Sequence, residues 1–427
     1  MRTPDDSVRD EPVPRPNRFD VDLAAIAHNV TALRGVLPGG TRICAAVKAD
    51  AYGFGLLPVA RTLAGAGVDL LGLVDLRDAL TLRRDGVACP ILLYGGGNLP
   101  DERMMRQAKE HDLIVTVGDD RTLAAAERCG QAAPTRVFIE VDVGLERLGA
   151  PVGKAVRLIK AAATSTAISI EGVYTHMHVP KQDGPPGLSG VPPYLEWQFS
   201  RFADLVDGLK REGYATGIAM AASTPVLMLT ASMSMDAVDV GRYLYGIVRP
   251  GAEPSLAELG LRPAFVSLRS QITFCKQVER ADYQDMAPFR IRPGTQVGVV
   301  PMGFADGLAL LNCGAALVRG VRAPILGNLS LEHVSLDVTG IPGVEAGDEV
   351  VFIGRQGTDE ITQEEVIARQ PQGLPPASLA TSVRETVTRV YRPVASPSSP
   401  APGRRYTPLV ESANETLYLL VHYASIY

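Results

Sequence analysis

The stretch RICAAVKADAYGFG, residues 42–55, decides the fold because it switches from an apolar run to a glycine-containing loop at a single lysine, Lys48. A continuous apolar run is typical of a strand covered on both faces, as in parallel sheets. The segment LPVARTLAGAG that follows has the apolar periodicity of a helix. The stretch therefore predicts a βα unit whose strand ends at Lys48.

The same alternation of a short apolar run and a helical pattern recurs through the first half of the chain. One of these helical patterns is YLEWQFSRFADLVDGLKREG. With RICAAVK, the predicted strands are LLGLV (70–74), PILLY (90–94), LIVTV (113–117), RVFIEVD (136–142), IEGVYTH (170–176), GIAMA (217–221) and DAVDV (236–240). Eight βα units predict a (β/α)8 TIM-like barrel, whose active site lies at the C-terminal strand ends. A doubly wound sheet is the alternative, but no predicted strand is followed by a GxGxxG phosphate loop.

The pattern changes after YLYGIVRPG to alternating strands separated by glycine and proline turns, with one helical stretch, TQEEVIARQ. The fold class is therefore α/β, a barrel followed by a C-terminal β domain. A Pro/Ser-rich stretch, RPVASPSSPAPGRR, comes after it. The predicted divisions are a disordered tail at 1–17, the barrel at 18–249, the β domain at 250–392, and a linker and tail at 393–427.

Composition limits the possible partners and surroundings. The chain has 427 residues, 46% of them hydrophobic, and a formal net charge of -5, which disfavours nucleic acid as a partner. Five widely spaced cysteines form no CxxC pair, so neither a disulfide framework nor a metal site is expected. No apolar run reaches the about 18 residues of a membrane helix, and the polar N-terminus does not resemble an export signal. We expect a cytoplasmic enzyme that acts on a small molecule.

Lys48 is the first candidate for chemistry. A lysine at a strand end is most often an exposed surface charge. At a barrel mouth with apolar neighbours, however, desolvation lowers the pKa of the amine, and such an amine suits Schiff-base formation with an aldehyde cofactor.

Several motifs, in the same order along the chain, resemble those of the alanine racemase family, which uses pyridoxal 5'-phosphate. They are FDVDLAAIAHNVTALR (19–34), AAVKADAYGFG (45–55), DVGLERLG (142–149), GVYTHMH (172–178), LYG (244–246), VPMGFADG (300–307) and PILGNLSLEHVSLDV (324–338). The resemblance extends over about residues 18–392, through both predicted domains. It implies a fold-type III pyridoxal-phosphate enzyme.

The resemblance implies a role for individual residues. Lys48 would form the internal aldimine and act as acid and base at Cα, Tyr52 and Ser223 would bind the phosphate, Arg147 would bond the phenolate oxygen, and His176 would pack on the pyridine ring. The implied cofactor-binding residues are Lys48, Tyr52, Arg147, His176, Ser223, Asp239 and Tyr245. Of these, the candidate catalytic residues are Lys48, Arg147, His176 and Asp239. The family also implies a homodimer with shared active sites.

Two departures from the family's pattern affect the chemistry directly. Phe304 in GFADG occupies the position of the family's catalytic tyrosine, and a phenyl ring cannot transfer the second proton that racemisation needs. Asp239 aligns with the arginine that faces the pyridine nitrogen, although Arg242 would take this position if the register slipped. A carboxylate there stabilises the protonated ring and makes the cofactor a stronger electron sink.

Other departures lie in the candidate substrate pocket. Glu140 replaces a lysine that is carbamylated in many racemases, so a carboxylate charge is expected to be kept there. Leu331 and Glu332 replace a Met-Asp pair, and Ala377 aligns with a pocket tyrosine, which predicts room for a substrate larger than alanine. The candidate pocket residues are Phe304, Leu331, Glu332, His333 and Glu140.

These observations leave several functions open. The first is an amino-acid enzyme working at Cα through an external aldimine and quinonoid, diverged toward aldol or transaldol cleavage or one-base chemistry. The second is a racemase or epimerase with a relocated second base, for which His333, Glu332 and Cys313 are candidates. Decarboxylation is a further option, and a non-catalytic pyridoxal-phosphate-binding protein is the alternative from a different class.

Overall fold

A computed structural model describes residues 15–180, 191–248, 255–279, 292–308, 313–327, 329–370 and 378–394. These residues divide into two compact units, which are described separately here. The barrel unit takes its residues from 30–48 and 63–241, and the β unit takes its residues from 15–29, 49–62 and 242–394.

The strands are listed here in chain order: β1 (Arg18–Asp22), β2 (Arg42–Ala46), β3 (Leu70–Leu73), β4 (Ile91–Leu93), β5 (Leu113–Val117), β6 (Thr135–Asp142), β7 (Ala150–Pro151), β8 (Ile168–Tyr174), β9 (Ile218–Ser223), β10 (Ala237–Val240), β11 (Phe265–Gln271), β12 (Phe274–Gln277), β13 (Gln296–Val300), β14 (Ala315–Val318), β15 (Val321–Leu326), β16 (Val334–Asp337), β17 (Glu349–Gln356), β18 (Asp359–Ile361) and β19 (Thr388–Arg392).

The helical segments are α1 (Leu23–Val36), α2 (Lys48–Tyr52), α3 (Leu56–Gly65), α4 (Leu76–Arg84), α5 (Glu102–Glu110), α6 (Asp120–Cys129), α7 (Val152–Thr164), α8 (Pro193–Arg211), α9 (Thr224–Leu227), α10 (Gln363–Ala368) and α11 (Ser378–Ser382). Short 3-10 turns cover Arg242–Tyr245 and Phe304–Asp306. Among the described residues, no helix is long and apolar enough to cross a membrane.

The barrel unit closes through eight parallel strands. Their order is β2-β3-β4-β5-β6-β8-β9-β10, and β10 pairs with β2 to complete the ring. Each of the eight apolar runs singled out in the sequence forms one of these strands. The predicted (β/α)8 barrel is therefore confirmed, and the alternation arises because each strand is covered on one face by helices and on the other by the barrel interior.

The barrel interior is a packed core. It contains buried side chains from all eight strands, namely Cys44, Leu70, Leu92, Ile114, Phe138, Tyr174, Ile218, Met220 and Ala237. Because this core is filled, the space for a ligand must lie at the strand ends, as in other barrels of this class.

Aspartates begin three consecutive helices of the barrel unit. Asp75, Asp101 and Asp119 precede α4, α5 and α6, and each carboxylate accepts a hydrogen bond from a backbone N–H in the first turn. An N-cap of this kind contributes about 1 kcal/mol to the stability of a helix. The local sequence thus fixes where each helix leaves the preceding strand.

The β unit is built on a sheet with the order β12-β13-β16-β15-β14-β17-β11-β1-β19, and β18 pairs with β17. The predicted C-terminal β domain is confirmed, including the helix at TQEEVIARQ, which is α10. The first strand, β1, belongs to this sheet: it pairs antiparallel with β11 and parallel with β19. The sequence division at 18–249 had grouped this strand with the barrel.

The residues that the structure describes also include 15–17, before the predicted boundary at residue 18. Asn17 is fully buried, its amide donates to the carbonyl of Pro301 at 2.7 Å, and its carbonyl oxygen accepts from the Ser270 hydroxyl at 2.7 Å. Residues 1–14 and 395–427 lie outside the described residues, so the remaining parts of the predicted tails stay predictions.

Candidate active site

Lys48 follows directly after the first barrel strand. Residues 43–47 are buried, and the Val47 N–H donates to the carbonyl of Gly72 on β3 at 2.9 Å, so pairing with the barrel continues up to the lysine. The chain then turns sharply, because Ala49, Asp50 and Ala51 all have φ values between 52° and 56°. Such left-handed backbone is uncommon for residues other than glycine and is concentrated at functional sites.

Asp239 lies on the neighbouring strand, β10. In the strand register it is paired with Cys44 on β2 and with Ser223 on β9. Its Oδ1 accepts a hydrogen bond of 2.6 Å from the hydroxyl of Tyr94. The sequence did not single out Tyr94, which follows β4 as the last residue of PILLY; the only signal was a hydroxyl at the end of a strand of leucines.

Tyr94 links Asp239 to Lys48. The Nζ of Lys48 lies 5.6 Å from the centroid of the Tyr94 ring, which is the range of a cation–π contact. The Sγ of Cys44 lies 3.7 Å from the Tyr94 hydroxyl. Burial, together with the negative charge of Asp239, raises the pKa of Tyr94 well above its ordinary value, so the phenol stays protonated and remains a donor.

Gly72 supplies the space for this tyrosine. A Cβ added at Gly72 would lie 2.7 Å from Cε2 of Tyr94 and still closer to its hydroxyl. Real Cβ atoms do not approach this closely, so any larger residue would displace the ring. Gly72 in LLGLV is therefore required for the Tyr94 side chain to fit.

Glu140 lies inside the barrel unit and is 4% exposed. Its burial raises the pKa to about 7, against the opposing effects of a hydrogen bond with Tyr174 and the charge of Arg147. Asp142 and Asp239 raise it further. The sequence predicts a carboxylate charge at Glu140. A pKa of about 7 instead means that a substantial fraction of the Glu140 side chains is neutral near neutral pH.

Arg147 and His176 lie at the same end of the barrel unit, because they follow β6 and β8. Arg147 is exposed and His176 is partly buried. Burial lowers the pKa of His176, the charge of Asp239 opposes this shift, and the charges of Arg147 and Lys48 add to it. The five predicted residues Lys48, Glu140, Arg147, His176 and Asp239 thus belong to one electrostatic group.

Ser223 ends β9 and is 4% exposed. Its buried hydroxyl has no hydrogen-bond partner among the described residues. A buried hydroxyl without a partner is costly, so the Ser223 hydroxyl has the capacity to bind a water or a ligand oxygen.

The remaining predicted cofactor residues belong to the β unit. The rings of Tyr52 and Tyr245 lie 4.9 Å apart, and Tyr245 is fully buried. Burial raises the pKa of Tyr245 well above its ordinary value. Both residues are aromatic neighbours within that unit.

The β unit also brings the candidate substrate residues together. Phe304 begins a 3-10 turn, and its N–H donates to the carbonyl of Ser330 at 2.9 Å, while the N–H of Ala305 donates to the carbonyl of Leu331 at 2.7 Å. The side chains of Phe304 and Leu331 are 59% and 69% exposed. Two further predicted residues, Glu332 and His333, are exposed beside them.

Cys313 and Ala377 are the two remaining candidates from the sequence. Burial raises the pKa of Cys313 to about 12, so its thiol is neutral near pH 7 and unsuited to act as a base. Ala377 lies outside the described residues, and its predicted alignment stays a prediction.

Comparison with known proteins identifies the family. The family models for the alanine racemase N-terminal domain and C-terminal domain match residues 21–249 and 265–391. The alanine racemase of Sorangium cellulosum is 33% identical over 391 residues, which cover 88% of this chain and 99% of that protein. That of Desulfosudis oleivorans is 32% identical, covering 87% and 95%.

A solved structure agrees with these sequence matches. The alanine racemase from Bacillus anthracis with bound L-Ala-P superposes with a TM-score of 0.76 at 27% identity, covering 90% of this chain and 96% of that one. The resemblance described from the motifs is confirmed, and with it the predicted cofactor. The chain therefore belongs to the alanine racemase family of pyridoxal-phosphate enzymes.

Proposed function

We propose that this protein removes and returns the hydrogen at Cα of an amino acid, with Lys48 as the base. The observation that carries the proposal is the position of Lys48, at the end of β2 and in one electrostatic group with Asp239, Arg147 and His176. A lysine amine held at such a place can serve both as a covalent ligand and as a proton carrier.

The residues present fit pyridoxal phosphate. The buried Ser223 hydroxyl has no partner within the part of the chain that the structure describes, and it suits a phosphate oxygen. Lys48 would hold the cofactor through its Nζ amine. Arg147 offers a cation for the phenolate oxygen, and Asp239 offers a carboxylate for a protonated ring nitrogen.

When bound, the cofactor supplies an electron sink for the charge that develops at Cα. Lys48 takes the Cα proton on its own face of the substrate and returns it there. His176 stays neutral because burial lowers its pKa, so it can pack on an aromatic ring without carrying a charge of its own. Asp239 balances a proton held on the ring nitrogen.

Phe304 limits the chemistry available on the face of Cα opposite Lys48. Its ring has no titratable group and replaces the tyrosine that would act on the opposite face of Cα. Chemistry confined to the Lys48 face is therefore the primary proposal. It would be hydrogen exchange at Cα with retention, or aldol or transaldol cleavage of a β-hydroxy amino acid larger than alanine, in which a base takes the β-hydroxyl proton, the Cα–Cβ bond breaks, an aldehyde leaves and Cα gains a proton.

Racemisation is the second candidate, because the relatives that match this chain are named alanine racemase. It would need a second base, and the exposed Glu332 and His333 are the residues available beside Phe304. A homodimer with shared active sites and a cytoplasmic location belong to the same proposal.

The test incubates the cofactor-loaded protein with L- and D-amino acids in deuterated water, followed by chiral chromatography and mass spectrometry. Deuterium incorporation with retention, or release of an aldehyde, supports chemistry on one face. Deuterium incorporation with inversion supports a racemase with a relocated base. If no amino acid gives either deuterium exchange or release of an aldehyde, the proposal is contradicted and a cofactor-binding protein without this activity is favoured.

Two variants make the test specific for Lys48. Lys48→Ala should abolish exchange and prevent borohydride from fixing the cofactor to the chain. Lys210→Ala, at an exposed lysine near the end of α8, should change neither result. Exchange that persists in Lys48→Ala would overturn the role given to this residue.

A further inference from the structure

The Tyr94 side chain is the strongest feature that the family resemblance leaves unexplained. Its hydroxyl is 2.6 Å from Oδ1 of Asp239, its ring faces Nζ of Lys48, and Gly72 leaves the space that it fills. The two residues of the hydrogen bond are 145 positions apart in the sequence and lie at the ends of different barrel strands. A loose surface contact would not need a dedicated glycine.

We propose that Tyr94 is a positioning residue that fixes the Asp239 carboxylate toward the ring nitrogen of pyridoxal phosphate. The hydroxyl occupies Oδ1, and the structure records no partner for Oδ2 among its described residues, so Oδ2 is the oxygen available to the cofactor. This inference rests on the proposed function, because it needs the cofactor to bind against Asp239.

The chemistry of the pair explains why a tyrosine suits this task. A carboxylate inside a protein is stabilised by hydrogen-bond donors, and a donor that cannot itself lose its proton is the most reliable one. The burial of the phenol and the charge of Asp239 keep the Tyr94 proton in place. The ring of Tyr94 also lies 5.6 Å from Nζ of Lys48, so one side chain lies beside the groups expected at two positions of the cofactor.

Gly72 provides an independent way to disturb the pair. A methyl group at this position would overlap the Tyr94 hydroxyl and approach Cε2 to 2.7 Å, so the phenol could not stay within hydrogen-bond distance of Asp239. Gly72→Ala should therefore reproduce the effect of removing the hydroxyl, without changing either member of the hydrogen bond.

The experiment measures cofactor binding and the state of the ring nitrogen rather than turnover. The protein is loaded with pyridoxal phosphate carrying a 15N-labelled ring, and the nitrogen resonance reports whether this atom is protonated. The unchanged protein should show a protonated nitrogen across neutral pH. Asp239→Asn should remove that signal, and Tyr94→Phe should shift it toward the neutral form or restrict it to lower pH.

A double-substitution cycle separates positioning from simple packing. Tyr94→Phe should weaken cofactor binding about 10-fold when Asp239 is present, but less than about 2-fold in the Asp239→Asn background. If the tyrosine only filled space, both backgrounds would lose the same factor. Gly72→Ala should follow the same pattern, and Tyr214→Phe, at a half-buried tyrosine that contacts Lys160, should leave the nitrogen resonance unchanged.

The outcomes distinguish this inference from the proposed function. If the unchanged protein binds no pyridoxal phosphate, the proposed function fails. If it binds the cofactor and Asp239→Asn moves the nitrogen resonance while Tyr94→Phe and Gly72→Ala do not, only the role of Tyr94 is overturned. Circular dichroism and thermal unfolding of each variant show whether it is folded before the binding data are compared.

Discussion

Replacing Glu140 by glutamine should make the cofactor-free protein more stable at alkaline pH but not at acid pH. The side chain is 4% exposed, and burial raises the pKa of its carboxyl from 4.5 to about 7. Below the lower value, Glu140 is protonated in the folded and the unfolded chain. Between the two values, the unfolded chain releases a proton that the folded chain keeps, so stability falls as the pH rises.

The size of this effect follows from the two pKa values. The difference between 4.5 and about 7, at about 1.4 kcal/mol for each pH unit, corresponds to about 3 kcal/mol. Glutamine has nearly the shape of the protonated side chain but does not titrate. The variant and the unchanged protein should therefore have similar free energies of unfolding at pH 4.5 and differ by about 3 kcal/mol at pH 8.

Urea unfolding of both proteins at a series of pH values between 4.5 and 8 measures this difference. Glu110→Gln, at an exposed carboxylate at the end of α5, is the matched control and should show no comparable change with pH. A Glu140→Gln protein that is less stable at pH 8, or that differs equally at every pH, would refute the reasoning. It would mean that Arg147 and Tyr174 compensate the burial of the charge fully.

Four further substitutions test other features. Ser223→Ala removes a buried hydroxyl without a described partner, so urea unfolding of the cofactor-free protein should change by less than about 1 kcal/mol, whereas titration should show about 10-fold weaker cofactor binding. Phe138→Ala empties a fully buried site in the barrel and should cost about 3–5 kcal/mol in urea unfolding. Gly53→Ala places a Cβ against the backbone of Ala380 at a φ of +86°, so the free energy of unfolding should fall by about 2 kcal/mol or more in a thermal unfolding experiment. Gly208→Ala, inside α8 with free space around it, should raise the free energy of unfolding by about 1 kcal/mol. Unchanged cofactor binding by Ser223→Ala would contradict the first expectation, and unchanged unfolding of Phe138→Ala would contradict the second. Equal effects of Gly53→Ala and Gly208→Ala would contradict the last two.

The barrel could be predicted because its determinants are local. Each strand is a short apolar run, and each run is followed by a helical pattern, so adjacent residues carry the information. Lys48 could be found for the same reason, since it stands at the point where one run ends. The family motifs then added the residues around it, which no single run would have indicated.

The features that escaped prediction depend on contacts between distant parts of the chain. Tyr94 looks like the end of an ordinary strand until Asp239 is placed beside it. The sequence around Glu140 indicates an ordinary charged residue in a strand. Its surroundings in the barrel unit raise the pKa of its carboxyl to about 7. The pairing of β1 with β19 is likewise invisible in either strand alone.

The pairing of β1 with β19 has a consequence for folding during synthesis of the protein. The strand at Arg18–Asp22 has its parallel neighbour at Thr388–Arg392, so a ribosome must add more than three hundred residues before the second partner exists. At about 5–20 residues per second, the wait is roughly 20–70 s. Throughout that interval β1 has an open edge, and an open edge can pair with the wrong strand. The sheet of the β unit therefore cannot be completed in the order of translation, because β1 waits for β19.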